Sequence, residues 1–140
     1  MTLKMDAGAL QTFLDEQFEQ VARDYIVEEA HPMAVRVRLQ VGEHNLRPGG
    51  TISGPAMFAL ADVGVYLAIL AMIGPVALAV TTGASIDFMR KPQAGRDLIG
   101  EARLLKLGRA LAVGDVLIRS EGSDEIVARA SVTYSIPPAR

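Results

Sequence analysis

Asp62 stands almost alone among residues able to do acid, base or nucleophilic chemistry. From Gly49 to Ile86 the only other ionisable group is the phenol of Tyr66. Burying a carboxylate costs on the order of several kcal/mol unless it is paired or hydrogen-bonded, so Ala or Leu would ordinarily fill such a position. A carboxylate kept there is suited to attack a carbonyl or to take a proton from water. The non-chemical reading is an Asp that faces a solvent channel or a partner subunit.

The elements around Asp62 decide how it is presented. The passage from Glu43 to Pro55 is rich in Gly and Pro and demands irregular backbone, and it delivers the chain into a helix. Ser53 or Gly54 can cap that helix, Pro55 suits its first turn, and Gly74-Pro75 ends it, which predicts a helix over 55–72. It is apolar nearly all round and therefore central and buried. Val63 to Val80 carries no charge and is long enough to raise a membrane span. Gly74-Pro75 would break such a span, and no Lys or Arg lies between Arg47 and Arg90 to anchor it, so burial in the protein's own core is the better reading.

Around this helix the spacing predicts an amphipathic surface helix over 8–22, with Leu10, Phe13, Leu14, Phe18 and Val21 on one face. Val35 to Val41 alternates apolar and polar as a half-buried strand does. Extended segments at 77–89, 97–107, 110–120 and 125–136, separated by turns, read as a four-strand meander. The sum is an α+β arrangement: an antiparallel sheet of five or six strands around one long apolar helix, plus an N-terminal amphipathic helix.

Composition narrows the partners. At 140 residues the chain is expected to form one domain over 1–140, with a core of aliphatic residues, since aromatics make up 5% and Trp is absent. A net charge of −2 gives no field to hold nucleic acid or an anionic membrane. Without cysteine there is no disulfide, thiol nucleophile or thiolate metal site, and two separated histidines form no metal cluster. The first residues acquire acidic side chains at once and lack an apolar signal region, so a cytoplasmic, metal-free protein is expected.

Ser53-Gly54-Pro55-Ala56-Met57-Phe58-Ala59-Leu60-Ala61-Asp62 resembles the His-Gly-Gly-x-x-x-x-Leu-Ala-Asp segment of a known family. Ser85 to Pro92, reading Ser-Ile-Asp-Phe-Met-Arg-Lys-Pro, is similar to that family's sheet motif. Leu107-Gly108-Arg109 with Val127-Ala128-Arg129-Ala130 matches its closing strands. Over about residues 35–136 the chain thus resembles the hotdog-fold thioesterases of the phenylacetate-degradation (PaaI-like) type, within the 4-hydroxybenzoyl-CoA thioesterase superfamily. The resemblance implies hydrolysis of an acyl-CoA thioester without a metal or redox cofactor, coenzyme A being part of the substrate. It also implies homodimers with shared active sites, often paired into homotetramers.

Carried over by position, Asp62 aligns with the catalytic nucleophile or base, and Gly54 with the glycine whose N–H polarises the thioester carbonyl. Asn45, two residues further upstream than the family's usual Asn or Gln, is the candidate for positioning substrate or water. Ser53 stands where the family has His, and Pro55 where it has a second Gly; both border the substrate site. Phe58 and Tyr66 are candidate acyl-pocket residues, and Arg90, Lys91 and Arg109 are candidates for the coenzyme A phosphates, with core packing and solvated charge as the plainer readings. His44 and His31 read as surface residues.

Gly54 and Asp62 are eight residues apart, about 12 Å along a helix at roughly 1.5 Å per residue. A base and an oxyanion donor must each approach the same carbonyl to about 3 Å. If both act, they belong to different chains. Two rival functions remain: a hotdog hydratase or dehydratase, for which His44 is the sole candidate histidine, and a silent acyl-CoA-binding module.

Overall fold

A computed structural model describes residues 2–138, with the side chain of Gln20 left out. The helix around Asp62 is α3, Gly54–Ile73, one residue longer at each end than its apolar pattern predicts. Ser53 caps it, its Oγ accepting from the Ala56 N–H at 3.2 Å, and Gly74, at a φ of 96°, stops it while its own N–H donates to Leu70. Leu60, Ala61, Leu67, Ile69 and Leu70 have no exposed surface at all. Alone among the described residues, α3 is long and apolar enough to cross a membrane, and a sheet of the same chain wraps it instead.

That sheet has six strands: β1 (Tyr25–His31), β2 (Ala34–Leu39), β3 (Val80–Phe88), β4 (Leu98–Leu107), β5 (Leu111–Ser120) and β6 (Ile126–Ser135). All neighbours are antiparallel, in the order β1-β2-β4-β5-β6-β3. Helix and sheet approach closely because two strand glycines carry no side chain. A Cβ at Gly114 would lie 3.0 Å from a Val65 methyl, and one at Gly100 would lie 3.1 Å from the Leu60 Cγ.

Two expectations need correction. The meander has three strands, β4-β5-β6, and not four, because β3 pairs with β6 at the far edge of the sheet. Alternation along a strand reveals its faces but not its neighbours, so the crossover left no mark in the sequence. The predicted helix over 8–22 is also two pieces, α1 (Ala7–Gln17) and α2 (Glu19–Ala22), broken at Phe18, whose φ of −137° and ψ of 51° are not helical. β1 was not anticipated: its register slips between Val27 and Glu29, which spoils the two-residue period. The strand expected over 35–41 ends at Leu39, because Gln40 and Val41 turn their N–H groups to the Asp24 carbonyl and the Asp97 carboxylate.

β3 forms one edge of the sheet, and all of its residues but Ile86 are exposed.

Candidate functional site

The first turn of α3 disposes of its N–H groups in an unusual way. A helix start leaves about four N–H donors without intrahelical partners. Here Ala56 donates to the Ser53 hydroxyl and Met57 to the Ser53 carbonyl, both at 3.2 Å, while Pro55 has no N–H to give. The N–H of Gly54 is used by no hydrogen bond among the described residues. One donor therefore remains at the positive end of a twenty-residue helix dipole, a position that favours negative charge. Phe88 from the end of β3 stands over it, its ring 3.2 Å from where a Cβ at Gly54 would lie.

Two turns further on, Asp62 leaves α3 only partly buried. Thr81 and Tyr134 are direct cross-strand partners on β3 and β6, so their side chains leave the same face of the sheet. Both reach one carboxylate oxygen: the Thr81 hydroxyl donates to Asp62 Oδ1 at 2.6 Å, and the Tyr134 hydroxyl donates to it at 2.9 Å. No hydrogen bond reaches Oδ2, and no Lys, Arg or His pairs with Asp62, among the described residues. The carboxylate is oriented by neutral dipoles. Burial, then the nearby carboxylate of Asp62, pushes the Tyr134 phenol well above its ordinary range. Tyr134 thus keeps its proton and stays a donor.

Asp62 borders a mainly apolar cavity of 390 Å³. Tyr66, one turn along α3, forms part of its wall, with its hydroxyl donating to the Ala77 carbonyl at 3.3 Å and its ring 5.8 Å from that of Tyr134. Burial raises the Tyr66 phenol to about 12. Leu14, Phe18 and Val21 of the N-terminal segment complete the opposite wall.

Of the residues singled out in the sequence, the fold brings Asp62 and Tyr66 to this cavity. Gly54, Ser53 and Pro55 stay at the start of α3, with Phe58 exposed one turn in. Asn45 sits in a single 3-10 turn (Glu43–Asn45) beside that helix start. Its side-chain oxygen accepts from the Gly42 N–H and its carbonyl from the Ser53 N–H, both at 2.8 Å. Arg90 and Lys91 follow β3 on the surface, Arg90 paired with Glu125. Arg109, in the β4–β5 turn, borders a different hollow near Pro75. His44 pairs with Asp24 on the surface, and His31 with Glu29. Thr81, Tyr134 and the Leu14–Val21 wall were missed. The one available signal was Tyr134, a hydroxyl on a strand face otherwise filled by Ala, Val and Ile.

Comparison with known proteins gives the same picture. The thioesterase superfamily (4HBT) model matches residues 49–134, more than half of the chain. A candidate thioesterase of Silicibacter sp. TM1040 superposes with a TM-score of 0.92 at 56% identity, covering 99% of this chain and 96% of its own. The phenylacetic acid degradation protein PaaI of Thermus thermophilus, solved as a mutant, is 27% identical with a TM-score of 0.72 over 88% and 100% of the two chains. A Streptococcus mutans protein bound to acetyl-CoA is 25% identical with a TM-score of 0.71, over 83% and 90%. A curated Pseudomonas aeruginosa relative, named as a candidate esterase, is 32% identical over 72% of this chain and 74% of its own. With its helix-wrapping sheet and the matched region spanning both Gly54 and Asp62, the chain belongs to the hotdog-fold thioesterase superfamily and is a thioester hydrolase.

Proposed function

We propose that the enzyme hydrolyses acyl-CoA thioesters, with Asp62 as nucleophile or general base and the Gly54 N–H of the partner subunit as oxyanion donor. The observation that carries this reading is the state of Asp62: a carboxylate fixed through one oxygen by Thr81 and Tyr134, with the other oxygen free among the described residues, at the wall of an apolar cavity. As nucleophile, Oδ2 attacks the thioester carbon, the carbonyl oxygen takes the negative charge, and collapse expels the coenzyme A thiolate to leave a mixed anhydride for water to cleave. As base, the same oxygen takes the proton of a water that attacks directly. Both routes need a donor where the oxyanion develops, the task suited to the unused Gly54 N–H.

Several features support a site shared between two chains. Gly54 and Asp62 lie on one helix about 12 Å apart, too far to grip one carbonyl from a single chain. The free edge of β3 offers a strand for pairing, and it carries Thr81 at one end and Phe88, over Gly54, at the other. Acetyl-CoA on the Streptococcus mutans relative supports coenzyme A as the carrier. In this reading Asn45, linked through its carbonyl to the helix start, positions substrate or water beside Gly54. Arg90, Lys91 and Arg109 remain candidates for the coenzyme A phosphates.

A panel of acyl-CoA substrates with free-thiol detection, run on the native enzyme, Asp62→Ala and Asp62→Asn, tests the proposal. Thiol release that vanishes in both variants is expected. Tight acyl-CoA binding without thiol release would make the chain a binding module, and loss of water from a 3-hydroxyacyl-CoA would make it a dehydratase.

A further inference from the structure

The aromatic side chains form a row that begins at Asp62. Tyr134 touches the carboxylate; its ring lies 5.8 Å from Tyr66; Tyr66 lies 5.8 Å from Phe18, which meets it edge-on at 90°. Tyr134 and Tyr66 have spent their hydroxyls on Asp62 and the Ala77 carbonyl, so they present rings, not polar groups, to the cavity. The row ends at Phe18, where α1 breaks.

We infer that Phe18 sets the length of acyl group the enzyme accepts, and that the acyl group is uncharged and apolar. This rests on the thioesterase reading and specifies its substrate. The cavity wall holds one carboxylate and no cation among the described residues, so an acyl group with its own carboxylate would meet repulsion. A saturated chain, with its carbonyl at Asp62, runs along Tyr134 and Tyr66 and meets Phe18.

Phe18 is built as a fixed stop. Its N–H donates to the Leu14 carbonyl at 2.8 Å, and its own carbonyl accepts from Val21 and Ala22 at 2.9 and 2.8 Å. Both backbone groups are therefore held although the residue is not helical, and Phe13 backs the ring at a centroid distance of 6.2 Å. At 37% exposed, the ring has room to be replaced without opening the core. Phe18 also lies outside the stretch matched by the superfamily model, residues 49–134.

The test compares kcat/KM for linear saturated acyl-CoAs from butyryl to dodecanoyl in the native enzyme, Phe18→Ala and Phe18→Trp. Removing the ring should raise the dodecanoyl-to-butyryl ratio roughly tenfold or more, the range one hydrophobic-pocket change commands. Phe18→Trp should move the ratio the other way. A ratio unchanged in both variants, or an equal fall for every chain length, would overturn the inference and leave the hydrolase reading intact. Relative affinities for the same two ligands, measured by calorimetry with and without Phe18→Ala in the Asp62→Asn background, test the gauge apart from turnover. Equal shifts for both ligands would again overturn it.

Discussion

Two charged clusters in this molecule are held in opposite ways. On the outer side of the sheet, Arg38 of β2 meets Glu28 at 2.7 Å, Asp97 at 3.1 Å and Glu121 at 2.5 Å, while the neighbouring Arg36 shares Glu28 and adds Glu29. Every charge there is answered by an opposite one, and the hydrogen bonds that Arg38 donates to Glu28 and Glu121 push its guanidinium still higher than its ordinary value. At Asp62 a partly buried carboxylate receives two hydroxyls and, among the described residues, no cation. Charge that serves only the fold is neutralised where it stands. The charge at Asp62, on the proposed reading, is positioned and left available for reaction.

The sharpest way to break this contrast is to remove the charge at Asp62. Asp62→Asn keeps the shape and should lower kcat by roughly two to four orders of magnitude, the contribution of a positioned acid or base, with thermal stability unchanged or slightly higher. A smaller effect is expected at the donor. Tyr134→Phe leaves Thr81 as the sole hydroxyl on Oδ1 and should reduce kcat about tenfold while KM stays within about twofold, since the bond orients the carboxylate and does not bind substrate. At the other cluster the sign reverses: Arg38→Met should lower the denaturant midpoint by about 1 kcal/mol equivalent, as expected for a largely surface network, and leave kcat unaltered. A loss of activity there would mean the two clusters are coupled.

The smallest effect concerns the three tyrosines. Burial, helped by the carboxylates of Asp24 and Asp62, lifts Tyr25 from 10.0 to about 12, and burial alone does the same for Tyr66. Raised values mean that the folded state favours the protonated phenols. Their contribution to stability is full below pH 10 and is lost as pH rises through 12. Absorbance of phenolate from Tyr25 and Tyr66 should therefore rise near pH 12 and not near pH 10. A tyrosine titrating near pH 10 in the folded protein would place it outside the core.

The central helix, the extended segments and Asp62 were legible in the sequence because each rests on a local signal: an uncharged apolar run, two-residue alternation, one misplaced charge. The motif then supplied the family. What stayed hidden is long-range. Thr81 and Tyr134 are far apart in sequence and meet only because β3 crosses to pair with β6, a neighbour relation that alternation does not encode. The break at Phe18 was hidden by apolar residues that keep helical spacing across it. Pro55 reads as a residue suited to the first turn of the helix; in the fold, having no N–H of its own, it leaves that of Gly54 as the one unused donor of the helix start among the described residues.

The claim on which the account turns is that Asp62 of one chain works with Gly54 of another. Gly54→Pro and Asp62→Ala should each be inactive alone. Mixed in equal amounts by unfolding and refolding, half of the dimers pair the two kinds of subunit and each of these holds one intact site, so about a quarter of native activity should return. A mixture as inactive as its parents would contradict a site shared across the two-fold axis.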